Sequence, residues 1–403
     1  MLNTHSYYSF KYGLRSIEEL IDFAQNGGYK SFVLTDINTT AGTLEFIRQC
    51  QKKNLKPIVG IDFRNGAEQQ FIGIAQNNAG FQRLNEYLSF YLHNDLRIPP
   101  QIEIDDCFVI YPLDKRPDRT LQPYEYIGIR PNEVNQVRFT KKKLDKTRLV
   151  ACPTFTFHSS KLEEEFEMHQ VLRAIELNTL VSKLSESDSG RKADVFLTKK
   201  ELLSAYTDLP QCLENLTHIV ASSSIHFDFN ENAQPQNLKI WTDSEDGDYR
   251  KIHELCLGGL AYRYGEHPSF AIKRRVVKEM QVIRQQWFLS YFLISWDLVT
   301  YARSKGYFYV GRGSGANSIV AYLLRITDVD PIELDLYFER FINLFRKNPP
   351  DFDIDFSWID REDVTRYLFE RYAHVTLIAT YITFQFKSVI REVGKTFGVP
   401  DYE

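Results

Sequence analysis

The chain has 403 residues, 43% hydrophobic and 25% charged, with a formal net charge of -4. That is the make-up of an ordinary globular protein with room for about two or three domains, and it excludes a disordered or collagen-like chain. The five cysteines (Cys50, Cys107, Cys152, Cys212, Cys256) have no paired spacing, no stretch approaches a membrane span, and Met1-Leu2-Asn3-Thr4-His5 lacks a signal-peptide pattern; reduced thiols, no membrane and a cytoplasmic setting are expected.

In chain order, Ser16 and Glu19 make a capping box ahead of Ile17, Leu20, Ile21 and Phe23, with Gly27-Gly28 as the stop. Ser31 to Thr35 reads as a buried strand, a second helix carries Leu44, Phe46 and Ile47, and Pro57 to Ile61 is the next strand. Repeating β-α units imply an α/β fold, a parallel sheet or barrel whose working face lies at the strand C-termini, where His5, Asp36 and Asp62 fall. Leu149-Val150-Ala151 is a later strand. A helix is expected from Phe166 to Val181, with Leu172 and Ile175 on its apolar face and His169 in a structural role. Thr198 and Glu201 cap another helix. The polar, aperiodic, proline-containing run from Phe229 to Asn237 is the expected domain boundary.

Beyond it, Val310 to Ser318 holds Gly311, Gly313 and Gly315 ahead of an apolar helical pattern, Ile319 to Leu324, which should end at Asp330-Pro331. Such a loop can turn backbone N–H groups toward an anion, with the helix N-terminus adding partial positive charge, Arg312 a bidentate contact and Ser314 a hydroxyl. A purely structural glycine turn is the alternative. Arg340, Arg346 and Lys347 form a basic segment, and Asp351-Phe352-Asp353-Ile354-Asp355-Phe356 alternates carboxylates with large apolar residues. Alternation of that kind makes a strand with three acids on one face. Like charges held together suit a hard divalent cation such as Mg²⁺; a solvated strand face is the plainer reading. The basic runs at 141–143, at Lys273-Arg274-Arg275 with Lys278, and from Arg340 to Lys347 each read first as a solvated face, with a local nucleic-acid contact as the alternative.

With these motifs the chain resembles the C-family replicative DNA polymerases, the alpha subunits of bacterial DNA polymerase III. The resemblance rests on Gly311-Arg312-Gly313-Ser314, Ile326 to Pro331, Phe338-Glu339-Arg340-Phe341 and Pro350 to Phe356, in that order, and on Tyr291 to Ile294 with Asp297. It implies a polymerase-and-histidinol-phosphatase (PHP) type distorted β/α barrel over residues 1–237. A mixed α+β polymerase palm, incomplete, would follow over 238–383, and the start of a thumb over 384–403. Carried over by position, Asp353 and Asp355 are the catalytic and Mg²⁺-binding carboxylates, with Asp351 supporting. Gly311, Arg312, Gly313 and Ser314 bind nucleotide, with Arg340 and Arg346 as further candidates. Two Mg²⁺ are implied in the complete enzyme, with primer–template DNA and a deoxynucleoside triphosphate as substrates. A sliding clamp and proofreading or other replisome subunits are the implied partners. A third catalytic aspartate is expected later in the family's pattern, so the chain as given is expected to be inactive alone. In the PHP-type barrel, Asn3, His5, Asp36 and Asp62 sit where the family's metal ligands lie, but Asn3, Ile37, Thr154 and Thr156 replace ligands, so the site is vestigial and no metal is expected there. Two other readings of that barrel are a metal-dependent phosphoesterase or 3′–5′ exonuclease, and a scaffold that docks a proofreading subunit.

Overall fold

The computed structural model describes residues 1–140, 144–229, 237–342, 351–378 and 380–400. The chain divides into two compact units, Met1–Ala233 with Ile382–Glu403, and Gln234–Tyr381. The first holds β1 (Asn3–Thr4), α1 (Ile17–Asn26), β2 (Ser31–Leu34), α2 (Thr43–Lys52), β3 (Lys56–Asn65), β4 (Glu68–Ala75), α3 (Asn78–His93), β5 (Cys107–Pro112), β6 (Glu125–Ile129), α4 (Val134–Phe139), β7 (Leu149–Ala151), β8 (Thr154–Phe155), α5 (Leu162–Glu176), α6 (Lys199–Ala205) and α7 (Pro210–Ser222).

Local chemistry sets the helix starts. Ser16 and Thr198 cap α1 and α6, each accepting from the backbone N–H three residues on while Glu19 or Glu201 bonds back. Six strands form one curled sheet in the order β2-β3-β4-β5-β6-β7. The pairs β2–β3, β5–β6 and β6–β7 are parallel, whereas β3–β4 and β4–β5 are antiparallel. Alternate residues feed two cores. Leu34, Val59, Ile61, Phe63 and Val109 pack under α1, α2 and α3, while Val33, Ile58, Ile72, Phe108 and Ile127 pack under α4, α6 and α7. Burial on both faces is why these strands read as unbroken apolar runs. The parallel pair β1–β8 fills the gap between the sheet's ends: β8 follows β7 after two residues, and Thr35 N–H beyond β2 donates to Thr4 O of β1 at 3.0 Å. The result is the distorted barrel the sequence implied.

Three details differ from the sequence reading. The strand begun at Pro57 continues through Asp62 to Asn65, then turns at Gly66 (φ 64°) into β4, so the parallel rhythm breaks at a hairpin. Asp62 therefore lies inside a strand and not at its end. The helix expected at 166–181 is shifted to Leu162–Glu176, begun by an acidic first turn and stopped at Asn178, whose φ is 48°.

The second unit contains α8 (Glu245–Tyr264), α9 (Phe270–Gln285), α10 (Leu289–Ser304), β9 (Tyr309–Arg312), α11 (Ile319–Leu323), β10 (Asp353–Phe356) and α12 (Arg361–Arg371). Its core joins Ile252 and Cys256 of α8, Met280 and Ile283 of α9, Phe292 and Val299 of α10, Ile319 and Leu323 of α11, and Phe338 and Phe341. The helix after the glycine loop spans only five residues, well short of Asp330, because Arg325 turns left-handed (φ 61°). The last helix, α13 (Phe386–Thr396), groups with the first unit, where Gly398 lies against Leu180 of the segment after α5.

Candidate active site and the barrel-end cluster

β9 and β10 run antiparallel, with Arg312 opposite Asp353, Gly311 opposite Ile354, Val310 opposite Asp355 and Tyr309 opposite Phe356. The period of two sends Phe352, Ile354 and Tyr309 toward the core and leaves Arg312, Asp353 and Asp355 together on the exposed face. Phe352 anchors the strand, ringed by Tyr291, Phe292 and Phe341 at 5.6, 5.1 and 5.1 Å. Arg312 Nε meets Asp355 Oδ2 at 2.6 Å, across a pair that is 64% and 57% exposed. Surface ion pairs of this kind are worth about 0–1 kcal/mol, so Arg312 can exchange Asp355 for another anion at little cost.

The glycines of the loop have distinct reasons. Gly313 has φ 74°, and a Cβ there would stand 2.3 Å from Asp353 Oδ2; the loop is closed up against that carboxylate. Gly311 is pressed on the Ile326 carbonyl and Gly315 on the Phe352 ring, where added Cβ atoms would lie at 1.9 and 2.8 Å. Ser314 is half-buried, and its carbonyl accepts from Asn317 Nδ2 at 2.8 Å. The helix N-terminus beyond it does not offer its donors outward, contrary to the sequence reading. Ser318 caps α11 by accepting from Ala321 N–H, and the buried Glu279 carboxylate accepts from Ser318 Oγ at 2.8 Å and from Val320 N–H at 3.3 Å. Burial pushes Glu279 up from the ordinary carboxylate range, against the pull of Arg275 and Ser318. Arg275 bonds Glu279 at 2.6 Å and also reaches the carbonyls of Asn317 and Leu336 at 3.1 and 2.9 Å. The pair thus pins the glycine loop to the segment that leads into Phe338–Arg340.

Arg340 is exposed at the end of that turn, and Arg346 lies outside the described residues. Asp297 is not at this strand: it accepts from Tyr367 and Tyr372 hydroxyls at 3.1 and 2.8 Å, with Arg371 Nε at 3.5 Å, which ties α10 to α12.

In the first unit, Asn3, His5, Asp36 and Asp62 converge at one end of the barrel, all buried. Asp62 is the hub. It takes His5 Nε2 at 3.0 Å, Asn3 Nδ2 at 3.3 Å, Arg64 Nη2 and Nε at 2.6 and 3.0 Å, and Gln69 Nε2 at 2.8 Å. Burial alone would raise its pKa, but the Arg64 charge and the His5 hydrogen bond outweigh that and hold the carboxyl well below the usual range. Asp36 is a separate node, accepting from Ser6 N–H, Ser6 Oγ and Ser9 Oγ, each at 2.7 Å. Burial raises its pKa against those bonds. Thr154 and Thr156 bond Asn3 at 3.2 Å and His5 at 3.0 Å. His158 turns away to Ser160 and the Phe23 ring. A pocket of about 220 Å³ opens beside the cluster, lined by Arg64, Gln69, Arg130, Arg191 and the buried Asp194. Among the described residues no group of three or more His, Cys, Asp or Glu side chains could hold a metal ion.

Sequence reasoning missed Arg64, Gln69 and Asp194 at the barrel end and Arg275 and Glu279 behind the loop. For Arg64 a signal existed: it stands two residues after Asp62 on the same strand and so on the same face.

Residues 2–111 match the PHP domain family, and residues 250–403 match the bacterial DNA polymerase III alpha NTPase domain family. Over its whole length the chain is 32% identical to a DNA polymerase III subunit alpha of Streptococcus pyogenes serotype M3, of which it covers 38%. It is 29% identical to the subunit alpha of Bacillus subtilis and 27% to an error-prone DNA polymerase of Idiomarina loihiensis, of which it covers 39% and 40%. The chain thus spans about two-fifths of the length of the relatives it matches. Both domains stand in this order, and the similarity to DNA polymerase III alpha subunits runs through the whole chain, which matches their N-terminal portion.

Proposed function

We propose that this chain is the N-terminal portion of a DNA-directed DNA polymerase that transfers nucleotides from deoxynucleoside triphosphates to a primer 3′-hydroxyl in replication. The observation that carries the reading is the β9–β10 register, which sets Asp353 and Asp355 on one exposed face with Gly313 closed against Asp353 and Arg312 on Asp355. The donor set fits Mg²⁺. Both side chains offer hard carboxylate oxygens, and they lie open enough for phosphate and water to complete a coordination shell that two residues alone cannot fill. Mg²⁺ bound there supplies positive charge to the transferring phosphoryl group and acidity to the 3′-hydroxyl. The chain's own residues do the positioning. Arg312 exchanges its weak contact with Asp355 for a phosphate oxygen, Ser314 and the backbone of Gly311 and Gly313 line the triphosphate's path, and Arg340 and Arg346 offset its charge. In this reading residues 238–383 act as the palm and 384–403 begin the thumb. The clamp and proofreading subunits dock on the complete protein, and five buried, unpaired cysteines suit a reducing cytoplasm.

For the barrel the scaffold reading is favoured over the phosphoesterase or exonuclease. The Arg64 guanidinium occupies the Asp62 carboxylate that a catalytic cation would need. Titrating Mn²⁺ by electron paramagnetic resonance, with dATP present, tests the site. Tight uptake by the wild-type chain, lost in Asp353→Asn and Asp355→Asn at unchanged thermal midpoint, is the expected result; equal uptake by both variants would remove these carboxylates from the metal site. In a polymerase whose N-terminal portion is this chain, either variant should cut primer extension by orders of magnitude.

A further inference from the structure

Helix α9 carries five cationic side chains, Lys273, Arg274, Arg275, Lys278 and Arg284, against one carboxylate, Glu279, in a chain that is net negative. Three of the cations have partners. Arg275 bonds Glu279, Arg284 bonds Glu245 and Asp246, and Lys278 meets Glu339 at 2.5 Å. Lys273 and Arg274 are exposed and form no ion pair among the described residues. Both lie close to the N-terminal end of the helix, where the helix dipole disfavours positive charge.

Their surroundings have a pattern. Phe270, Lys273, Arg274, Val277 and Gln281 recur at intervals of three and four, so they form one stripe, opposite the buried face of Ile272, Val276, Glu279, Met280 and Ile283. Within the stripe Phe270 is 80% and Val277 56% exposed, so cations alternate with bare apolar side chains over roughly 16 Å of helix. The candidate site is held by the adjoining side of the same helix, where Arg275 grips the carbonyls of Asn317 and Leu336, and Lys278 grips Glu339, the neighbour of the exposed Arg340. Unpaired cations interleaved with exposed apolar groups complement a chain whose phosphates alternate with apolar sugar and base faces.

We propose that this stripe of α9, continued by Arg340, is a contact surface for the phosphodiester backbone of nucleic acid. It deepens the polymerase reading by locating where primer–template DNA lies relative to the carboxylate strand, and for the identity of the nucleic acid it rests on that reading.

The test is binding of a labelled primer–template duplex to the whole chain in EDTA, without nucleotide, over a series of salt concentrations. Lys273→Glu/Arg274→Glu should weaken binding at least about tenfold at low salt and reduce the slope of log K against log salt by about 2, the share of two lost phosphate contacts. Lys273→Gln/Arg274→Gln should move both quantities the same way, and the thermal midpoint of each variant should match wild type. Lys199→Glu/Lys200→Glu on α6 makes the same change in net charge elsewhere and should leave the slope unchanged. Wild-type affinity and slope in the α9 variants, an equal loss in the α6 variant, or no duplex binding by the wild-type chain would each overturn the proposal. Because metal and nucleotide are absent, failure of the Asp353–Asp355 assignment leaves this measurement intact, and failure here leaves Mn²⁺ uptake intact.

Discussion

The Arg64 guanidinium meets the Asp62 carboxylate at 2.6 and 3.0 Å, two residues along one strand, and both side chains are buried. Asp62 keeps its charge in that setting because the chain supplies the cation itself. Removing one partner of such a pair leaves the other uncompensated, a loss of about 3–5 kcal/mol, whereas removing both is far milder. Arg64→Met should therefore lower the urea-unfolding free energy by that order, and Asp62→Asn/Arg64→Met should restore much of it. A double variant as unstable as the single one would show that the contacts of the Arg64 guanidinium with the Tyr12 ring and hydroxyl, not its pairing with Asp62, are what matter.

His169 gives a prediction in pH. Its Nδ1 faces the Tyr12 carbonyl at 2.8 Å, which can only accept, and its Nε2 faces Gly190 N–H at 2.7 Å, which can only donate. Those partners fix the neutral ring with the proton on Nδ1. Burial pushes its pKa down to about 4 from 6.5, against the Tyr12 bond. The unfolded chain therefore binds a proton that the folded one refuses between those values, so stability falls as pH drops from about 6.5 to 4, by about 3 kcal/mol in total. Unfolding followed across that window should show the loss in wild type and a clearly smaller one in His169→Gln.

Gly313 should tolerate no side chain. An alanine there pays about 1–2 kcal/mol for the left-handed backbone and also strikes Asp353 Oδ2. Gly313→Ala is expected to lower thermal stability and to weaken Mn²⁺ uptake together. Gly258→Ala in α8, where an added Cβ meets nothing, should be neutral or stabilising by up to about 1 kcal/mol. Unaltered Mn²⁺ uptake in Gly313→Ala would separate the loop from the carboxylate.

The helix starts, the buried strands and the carboxylate face were legible because each depends on local rules, such as a capping box or a period of two. Asp353 and Asp355 share an exposed face because their apolar neighbours are drawn into the core. The hairpin at Gly66-Ala67 was also written locally, as a two-residue turn beginning with glycine, yet the expectation of a parallel sheet overrode it. Glu279 was not legible in the same way. In the sequence it is one acid within a basic helix, and only the tertiary fold brings it 39 residues away onto Ser318. The length of α11 was misjudged for a related reason, since nothing in Leu324-Arg325-Ile326 announces a left-handed turn at an arginine.

The register of β3 and β4 slips by one residue, so that Phe63 faces Phe71 but Arg64 faces Gln69, with Gln70 passed over. That extra residue turns Gln69 to the side of the hairpin where Asp62 and Arg64 point, and Gln69 completes the grip on Asp62 while Arg130 holds Gln69 in turn at 3.0 Å. The acid, its substitute cation and the amide that steadies them thus lie on one hairpin, within eight consecutive residues. Independence from metal is nonetheless spread more widely than this hairpin, because the ligand positions now held by Asn3, Ile37, Thr154 and Thr156 lie on or beside β1, β2 and β8. A designer who wanted the barrel to depend on metal again would have to release Asp62 from Arg64 on the hairpin and also restore ligands on those other strands.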